Sequence, residues 1–271
     1  MTLLADAGYV RAFSTLGCPE LTLDAVIALA RKFGIAAIEL RALGGSLDLP
    51  AYFSSLSTTP AALVAGMSGE GVYIAALGTD FRLIDGTEAD RAKFLEFVPW
   101  AEALGVPRLR VFDGGSIAEG AELERAVATM HWWAALRAAQ GWKTDIMIET
   151  HDALVTASAI GRFVRAVPDA AILWDTHQTW QKGREDPVAT WQAIRTQVVH
   201  IHVKDSLPAA HPPGSVRYAL PGAGRFPMAA LRRTLARTYK GPVSLEWEKR
   251  WHPELPTLEA ALCAASEAAW W

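Results

Sequence analysis

Four side chains that can bind a metal ion fall at the ends of short apolar segments. They end or nearly end the segments IMIE, ILWD, VHIHVKD and VSLE, and they are Glu149, Asp175, His202 and Glu246. One polar residue at a segment end is usually solvated or caps a helix, whereas four in consecutive segments favour a shared site. A buried carboxylate without a partner is costly. Three oxygen donors and one nitrogen donor suit a hard or borderline divalent ion such as Mn²⁺, Mg²⁺ or Co²⁺. The pattern therefore predicts a site for one divalent metal ion.

Such a site needs strands that end at the same place, and the sequence contains eight candidate strands. Each is a short apolar run, and most are followed by a stretch with apolar residues three and four positions apart, which is typical of an amphipathic helix. The runs are Arg11–Leu16, Ala36–Arg41, Val72–Leu77, Arg108–Asp113, Asp145–His151, Ala171–Asp175, Val198–Lys204 and Val243–Glu248. The predicted helices are Leu21–Lys32, Pro60–Gly66, Glu88–Leu104, Glu119–Gln140, Ala153–Ala166, Pro187–Arg195, Met228–Tyr239 and one between Pro256 and Ala269.

Eight repeats of strand and helix predict parallel strands joined by right-handed crossovers. The chain has 271 residues, and a (β/α)₈ barrel typically needs about 250. An open, doubly wound sheet is the alternative, but this length favours closure, and Gly17 stands alone where a G-x-G-x-x-G loop would follow the first strand. We therefore predict an α/β fold, a single (β/α)₈ TIM barrel domain over residues 1–271, with its site at the carboxyl ends of the strands. The Gly- and Pro-rich stretch Pro208–Gly224 predicts a long irregular loop at that end.

The composition excludes several classes of protein. Hydrophobic residues make up 51% of the chain and charged residues 20%, which is typical of a globular protein. Lys and Arg number 26 against 29 Asp and Glu, a formal net charge of −3, which disfavours a nucleic-acid partner. The two cysteines, Cys18 and Cys263, cannot form a disulfide framework, so a reducing compartment is expected. No apolar run reaches the roughly 18–20 residues of a membrane span, and Met1–Arg11 lacks the pattern of a signal peptide. We expect a cytoplasmic protein with no membrane partner.

Several segments resemble the xylose-isomerase-like barrel superfamily, which includes sugar phosphate isomerases and epimerases, ketose 3-epimerases and the endonuclease IV branch. The segments are IETHDAL, LWDTHQTW, VHIHVKD, PGAGRFP and YKGPVSLEWE in the second half of the chain. The earlier segments FSTLGCPELTLDAVIALARKFGIAAIELR and GVYIAALGTDFRL are also similar, so the resemblance covers almost the whole chain. The order and spacing of these motifs are fairly specific for the superfamily, but they do not identify the substrate.

The resemblance implies roles for the residues named first. It implies one divalent metal ion, Mn²⁺ first and Mg²⁺, Co²⁺ or Zn²⁺ as alternatives, bound by Glu149, Asp175, His202 and Glu246. It also implies that Glu149 and Glu246 face each other across the substrate as acid and base. In the pattern H-x-H-x-K-D the ligand is the second histidine, so His200 would lie deeper, as a core or supporting residue.

These roles imply a metal-dependent isomerase or epimerase that acts on a sugar, sugar acid or sugar phosphate. A C–H bond next to a carbonyl is weakly acidic, and a divalent ion on the carbonyl and a neighbouring hydroxyl stabilises the enediolate. One carboxylate removes the proton and another returns it, at the other face for epimerisation or at the adjacent carbon for isomerisation.

Five further residues are candidates for contact with the carbohydrate: His177, Gln178, Lys204, Arg217 and Trp247. The superfamily often has a histidine three residues after the aspartate of strand six, where this chain has Gln178, with His177 just before it. Either His177 takes that role or the pocket differs. A solvated or helix-capping position is the alternative for Lys204, an exposed surface position for Arg217, and core packing for Trp247. The superfamily's G-E-G after strand seven is Gly222-Ala223-Gly224 here. Because the glutamate is missing, the substrate of close relatives cannot be assigned to this chain.

Three other charged residues lie close to strand ends. Glu248 shares a strand face with Glu246, but the spacing from Gly241 favours Glu246 as the ligand. Glu39 and Arg41 end the second strand, where an internal ion pair is expected.

Three alternatives to an isomerase or epimerase exist. The endonuclease branch needs histidine ligands from early strands, and the first histidine here is His131, which disfavours it. Another metal-dependent reaction on the same barrel, by a lyase or hydrolase, is a second alternative, and a catalytically silent sugar-binding barrel is a third. Trp132, Trp133, Trp270 and Trp271 are expected to be buried either against the barrel or against another subunit, and the second alternative predicts a homodimer.

Overall fold

The architecture is a closed barrel of eight parallel strands, in a computed structural model that describes residues 7–66, 71–212 and 214–271. The barrel strands are β1 (Val10–Ser14), β2 (Ala37–Leu40), β3 (Tyr73–Arg82), β4 (Arg108–Phe112), β5 (Asp145–Glu149), β6 (Ile172–Asp175), β7 (Val198–Val203) and β10 (Pro242–Leu245). They follow one another around the barrel in chain order, and β10 closes it against β1. The predicted fold class, a single (β/α)₈ barrel, is confirmed.

Helices surround the strands and largely follow the predicted positions. They are α1 (Leu23–Lys32), α2 (Leu49–Leu56), α3 (Pro60–Gly66), α4 (Glu88–Leu95), α5 (Val98–Ala103), α6 (Ala121–Gln140), α7 (Ala157–Ala166), α8 (Thr176–Gln181), α9 (Pro187–Ile194), α10 (Met228–Thr238) and α11 (Leu258–Glu267). The helix predicted over Glu88–Leu104 is two helices, because Pro99 near the start of α5 has no N–H to continue the hydrogen bonding of α4. The sequence did not predict α2 or α8.

The alternation of side chains along each strand separates two faces. Outward residues such as Ile148 and Trp174 join the large core between strands and helices. Met147 and Leu173 belong to a small apolar cluster on the other face, inside the barrel. Successive side chains of a strand point to opposite faces, so Glu149 and Asp175 lie on the same face as these residues, two positions further along. The barrel interior is thus polar at the carboxyl ends of these strands and apolar two residues further from those ends.

The stretch predicted as an irregular loop is in part a hairpin, which corrects that prediction. Strands β8 (Asp205–Pro208) and β9 (Val216–Ala219) pair antiparallel directly after β7. The buried carboxylate of Asp205 accepts hydrogen bonds from the backbone N–H groups of Gly222 and Gly224, both at 2.9 Å, and of Phe226 at 3.0 Å. A Cβ at Gly224 would lie 2.0 Å from Oδ1 of Asp205, so the chain can approach this closely only at a glycine. Asp205 therefore fixes the segment after the hairpin.

The tryptophans assigned to an outer surface are mostly covered by the chain itself. Trp133 and Trp271 are 1% exposed and Trp270 is 7% exposed. The homodimer stays a prediction. Among the residues that the structure describes, no helix combines the length and the apolar character needed to cross a bilayer.

We predict that Asp205→Asn lowers the free energy of unfolding by about 2–3 kcal/mol, because hydrogen bonds to a charged group are each worth about 1.5–3 kcal/mol and an amide replaces one acceptor with a donor. Urea unfolding followed by tryptophan fluorescence measures the change. The control is Asp169→Asn, which changes an exposed carboxylate and should alter the stability by less than about 0.5 kcal/mol. Equal losses in the two variants would show that Asp205 does not stabilise the segment.

Candidate metal centre

The four predicted ligands converge at the carboxyl end of the barrel. Glu149 ends β5, Asp175 ends β6, His202 lies in β7, and Glu246 follows β10. Each offers one nitrogen or oxygen atom, and these four atoms all lie within 4.8 Å of one another. All four side chains are buried, with residue exposures between 0% and 5%.

His202 lies between carboxylates on both sides of its ring. Its Nε2 lies 2.7 Å from Oε2 of Glu39, to which it donates a hydrogen bond when that nitrogen carries the proton. Its Nδ1 lies 3.3 Å from Oε1 of Glu149 and 3.4 Å from Oε1 of Glu246. Burial lowers the pKa of this histidine, but the negative charges of Glu246 and Glu39 outweigh it and raise the pKa well above the usual value.

Two cations balance the carboxylates. Arg110 places Nε 3.2 Å from Oε2 of Glu149. Lys204 places Nζ 2.9 Å from Oδ2 of Asp175 and 2.7 Å from Oε1 of Glu248, and it also bonds Glu246. Lys204 is 1% exposed, so this ammonium group lies wholly inside the site.

These partners decide the protonation of the two glutamates. Burial raises the pKa of Glu149, but Arg110 and His202 bring it down to about 2. Burial also raises the pKa of Glu246, yet His202 and Lys204 hold it well below the usual value. Both side chains are therefore carboxylates at neutral pH.

Asp175 is fixed by the helix that follows it. Its Oδ1 accepts hydrogen bonds from the backbone N–H groups of His177 at 2.8 Å and Gln178 at 3.0 Å, which caps α8. Because Oδ1 is used in this way, Oδ2 is the oxygen left to face the site.

The donor set fits a divalent cation. Oε2 of Glu149, Oδ2 of Asp175 and Nδ1 of His202 are buried and form no hydrogen bond of good geometry with the part of the chain that the structure describes. The two oxygens have only ion-pair contacts, with Arg110 and Lys204, and the nitrogen faces two carboxylates. Buried polar atoms that lack a hydrogen bond are rare. Three carboxylates and one imidazole nitrogen suit Mn²⁺, Mg²⁺, Co²⁺ or Zn²⁺.

The proposed substrate contacts are distributed between the site and other places. Lys204 is in the site. His177 is buried beside it, with Nε2 2.7 Å from Oγ of Ser206, and burial followed by the charge of Lys204 lowers its pKa to about 3. Gln178 is buried at the start of α8.

Two of the proposed contacts lie away from the site. Arg217 is exposed on β9 of the hairpin. Trp247 is 1% exposed, belongs to the core between strands and helices, and donates from Nε1 to the carbonyl of Pro256 at 2.8 Å. Core packing, the alternative considered for Trp247, is what the structure shows.

Some residues of the site were not assigned to it from the sequence. Glu39 and Arg41 do not form the expected ion pair with each other, since Glu39 pairs with His202 and Arg41 with Asp80. Arg110, the partner of Glu149, was not singled out at all. The available signal was the alternation of the strand segments, which places Glu39 and Arg110 on the inward face of β2 and β4.

Comparisons with known proteins agree with the fold. A sequence profile described as "Xylose isomerase-like TIM barrel" matches residues 27–267. No curated protein matches the sequence at a significant level.

Solved structures show the same fold at low sequence identity. One is the probable 3-DHS dehydratase AsbF from Bacillus anthracis, with 18% identity, 94% of this chain and 97% of that chain covered, and a TM-score of 0.74. The IOLI protein with a bound zinc atom has 18% identity, covers 96% of each chain and has a TM-score of 0.73. A xylose isomerase domain containing protein from Salmonella typhimurium has 16% identity, covers 97% of each chain and has a TM-score of 0.73.

We predict that Lys204→Met lowers the free energy of unfolding by about 3–5 kcal/mol, because it leaves three buried carboxylates without their shared cation. Mn²⁺ should restore part of this loss. Chemical unfolding with and without Mn²⁺ measures both effects.

The control is Lys182→Met, because Lys182 is 42% exposed and donates to the carbonyl of His151. Its effect should stay below about 1 kcal/mol. If Lys204→Met were as stable as the wild type, Lys204 would not be compensating the buried charge.

Proposed function

Because the chain belongs to the xylose isomerase-like TIM barrel family, we propose that it is a divalent-metal-dependent isomerase or epimerase. Its substrate would be a sugar, sugar acid or sugar phosphate, converted by proton transfer through an enediolate. Mn²⁺ is the ion we favour, with Mg²⁺, Co²⁺ or Zn²⁺ as alternatives. The zinc atom in the IOLI structure supports a divalent ion in a barrel of this fold.

The observation that carries the proposal is the pair of glutamates beside one imidazole nitrogen. Glu149 and Glu246 come from separate strands, lie 3.3 Å and 3.4 Å from Nδ1 of His202, and have lowered pKa values. One carboxylate can move a proton between two adjacent carbons, and two carboxylates at one centre can also serve the two faces of one carbon.

Glu149, Asp175, His202 and Glu246 would hold the metal ion. When bound, the ion would draw electrons from the substrate carbonyl and a neighbouring hydroxyl and thereby stabilise negative charge on their oxygens.

The protein's own groups perform the remaining work. One of the two glutamates accepts the proton from the carbon next to the carbonyl and becomes a carboxylic acid. In an isomerisation the same group returns this proton to the adjacent carbon. In an epimerisation the first glutamate releases its proton to solvent, and the second glutamate takes up a proton from solvent and delivers it to the other face of the carbon, so that both end as carboxylates. Arg110 and Lys204 keep both side chains ionised before the reaction and fix their positions. Burial keeps bulk water away from the carboxylates, which strengthens every electrostatic interaction in the site.

Dehydration starts with the same proton abstraction and then loses a hydroxyl group from the next carbon. The fold likeness to a probable dehydratase makes this the outcome that a product analysis must separate from isomerisation.

We predict that the Mn²⁺-loaded protein exchanges the hydrogen next to the carbonyl of at least one member of a panel with solvent deuterium. The panel contains ketoses, keto acids of sugars and ketose phosphates. Mass spectrometry and NMR identify the label and the product, so that a hydride shift and a dehydration are also recognised.

Glu246→Gln and Glu149→Gln should each lower kcat by about 10²–10⁴-fold, which is typical for loss of a general acid or base. Glu254→Gln, at a 72% exposed side chain after β10, is the matched control and should keep full activity. A protein that converts no member of the panel, or that is equally active after both site substitutions, would contradict the proposal.

We also predict that Glu39→Gln weakens Mn²⁺ binding about 10–100-fold, because a carboxylate that accepts from the far nitrogen of a metal-ligating histidine orients the ring and increases its basicity. Isothermal titration calorimetry measures this without substrate. Glu254→Gln again serves as the control, and unchanged affinity in Glu39→Gln would remove this role from Glu39.

A further inference from the structure

Two arginine side chains lie next to each other inside the barrel, on the side of the metal centre opposite Lys204. Arg41 directly follows β2 and Arg110 lies in β4, and both are buried, at 3% and 2% exposure. Gly78 of β3 lies between them. A Cβ at this glycine would come within 2.7 Å of Cδ of Arg41 and 3.1 Å of Nη2 of Arg110, so only glycine leaves room for both side chains.

The contacts of Arg110 hold its guanidinium in a fixed plane. Nη1 donates to the carbonyl of Thr79 at 2.8 Å, and Nε lies 3.2 Å from Oε2 of Glu149. The guanidinium carbon lies 4.0 Å from the centre of the Phe112 ring. Arg110 is therefore a rigid, buried cation in direct contact with a candidate metal ligand.

Arg41 is incompletely paired. Nη2 bonds Asp80, whose side chain is 70% exposed. Nη1 is buried and has no hydrogen-bond partner within the ranges that the structure describes. Burial and the neighbouring charge of Arg110 lower the pKa of Arg41 to about 10, so its surroundings disfavour the charged form. The side chain nevertheless stays charged at neutral pH.

The two guanidinium groups contact two carboxylates, the buried Glu149 and the exposed Asp80, and Glu149 is also a candidate metal ligand. Asp80 is mostly in solvent and shields Arg41 weakly. A planar guanidinium group with free N–H donors matches the oxygens of a carboxylate or a phosphate.

We propose that Arg41 and Arg110 form a subsite for an oxyanionic group of the substrate, a carboxylate or a phosphate, so that the enzyme acts on an acidic sugar rather than a neutral one. This rests on the proposed function and narrows its substrate class. Because Arg110 touches Glu149, the anionic group would lie within a few bonds of the reacting carbon. This short reach favours a compact sugar acid.

The test measures anion binding in the full chain, with and without Mn²⁺, by thermal unfolding at constant ionic strength. The probes are acetate, D-glucuronate and inorganic phosphate, with chloride as the reference salt and D-glucuronamide as the neutral counterpart of D-glucuronate. A ligand that binds the folded state raises Tm with concentration, which yields an apparent Kd. Calorimetric titration of the wild type gives the Kd directly.

We expect D-glucuronate to raise Tm and D-glucuronamide to leave it unchanged. Arg41→Met should weaken the apparent Kd at least about tenfold and raise the anion-free Tm, because an apolar side chain of similar length replaces an incompletely paired charge. Arg41→Lys keeps the positive charge but lacks the planar set of N–H donors of a guanidinium group. Its apparent Kd should therefore lie between those of the wild type and of Arg41→Met. The matched control is Arg108→Met in β4, the strand that carries Arg110. Arg108 pairs with Asp145 away from the site, so this variant should keep the anion response of the wild type.

No rise in Tm with any of the three anions, or an equal rise in the wild type and in Arg41→Met, would overturn the subsite. A response to phosphate alone would assign a sugar phosphate, and a response to the carboxylates alone would assign a sugar acid. Anion binding needs no turnover, so an intact anion response together with no hydrogen exchange on the panel would contradict the proposed function and leave the subsite standing.

Discussion

Buried negative charge is the constraint around which this barrel is arranged. Five carboxylates that water barely reaches meet at the carboxyl end of the strands, and they are Glu39, Glu149, Asp175, Glu246 and Glu248. A carboxylate in such surroundings is stable only with a cation or strong hydrogen-bond donors close by. Lys204 and Arg110 supply fixed cations, and the raised pKa of His202 adds a third positive charge. The charged residues at the inward-facing ends of β5, β6 and β7 are thus explained by mutual charge compensation as well as by metal binding.

The sequence predicted most of the strands and helices, and it predicted which four residues meet at the carboxyl end of the barrel, because both depend on local patterns. Period-two alternation that ends in Glu149 or Asp175 is visible within a few residues, and the strand–helix repeat is visible over the whole chain. The same alternation could have excluded Trp247 from the predicted sugar contacts, since a residue between the inward-facing Glu246 and Glu248 must face the helices. Trp247 was proposed because an aromatic ring can stack on a sugar, but its position in the segment places it in the core.

Contacts across the barrel could not be predicted in this way. Glu39 and His202 are 163 positions apart, on strands that are not neighbours in the barrel. Which inward side chains meet depends on the tilt and closure of the strands, and a single sequence does not show either. The hairpin was missed for a different reason: its Gly and Pro residues predict irregular structure, but the buried carboxylate of Asp205 gathers the backbone N–H groups that follow it.

The origin of the site residues along the chain has an evolutionary consequence. All four candidate ligands lie beyond residue 148, whereas Glu39, Arg41 and Arg110 come from the first four strands. Arg110 meets Glu149 across the neighbouring strands β4 and β5, whereas Glu39 reaches His202 only when the barrel closes. Substitutions in the upstream stretch can therefore change the charges and hydrogen bonds around the four candidate ligands without changing the ligands themselves.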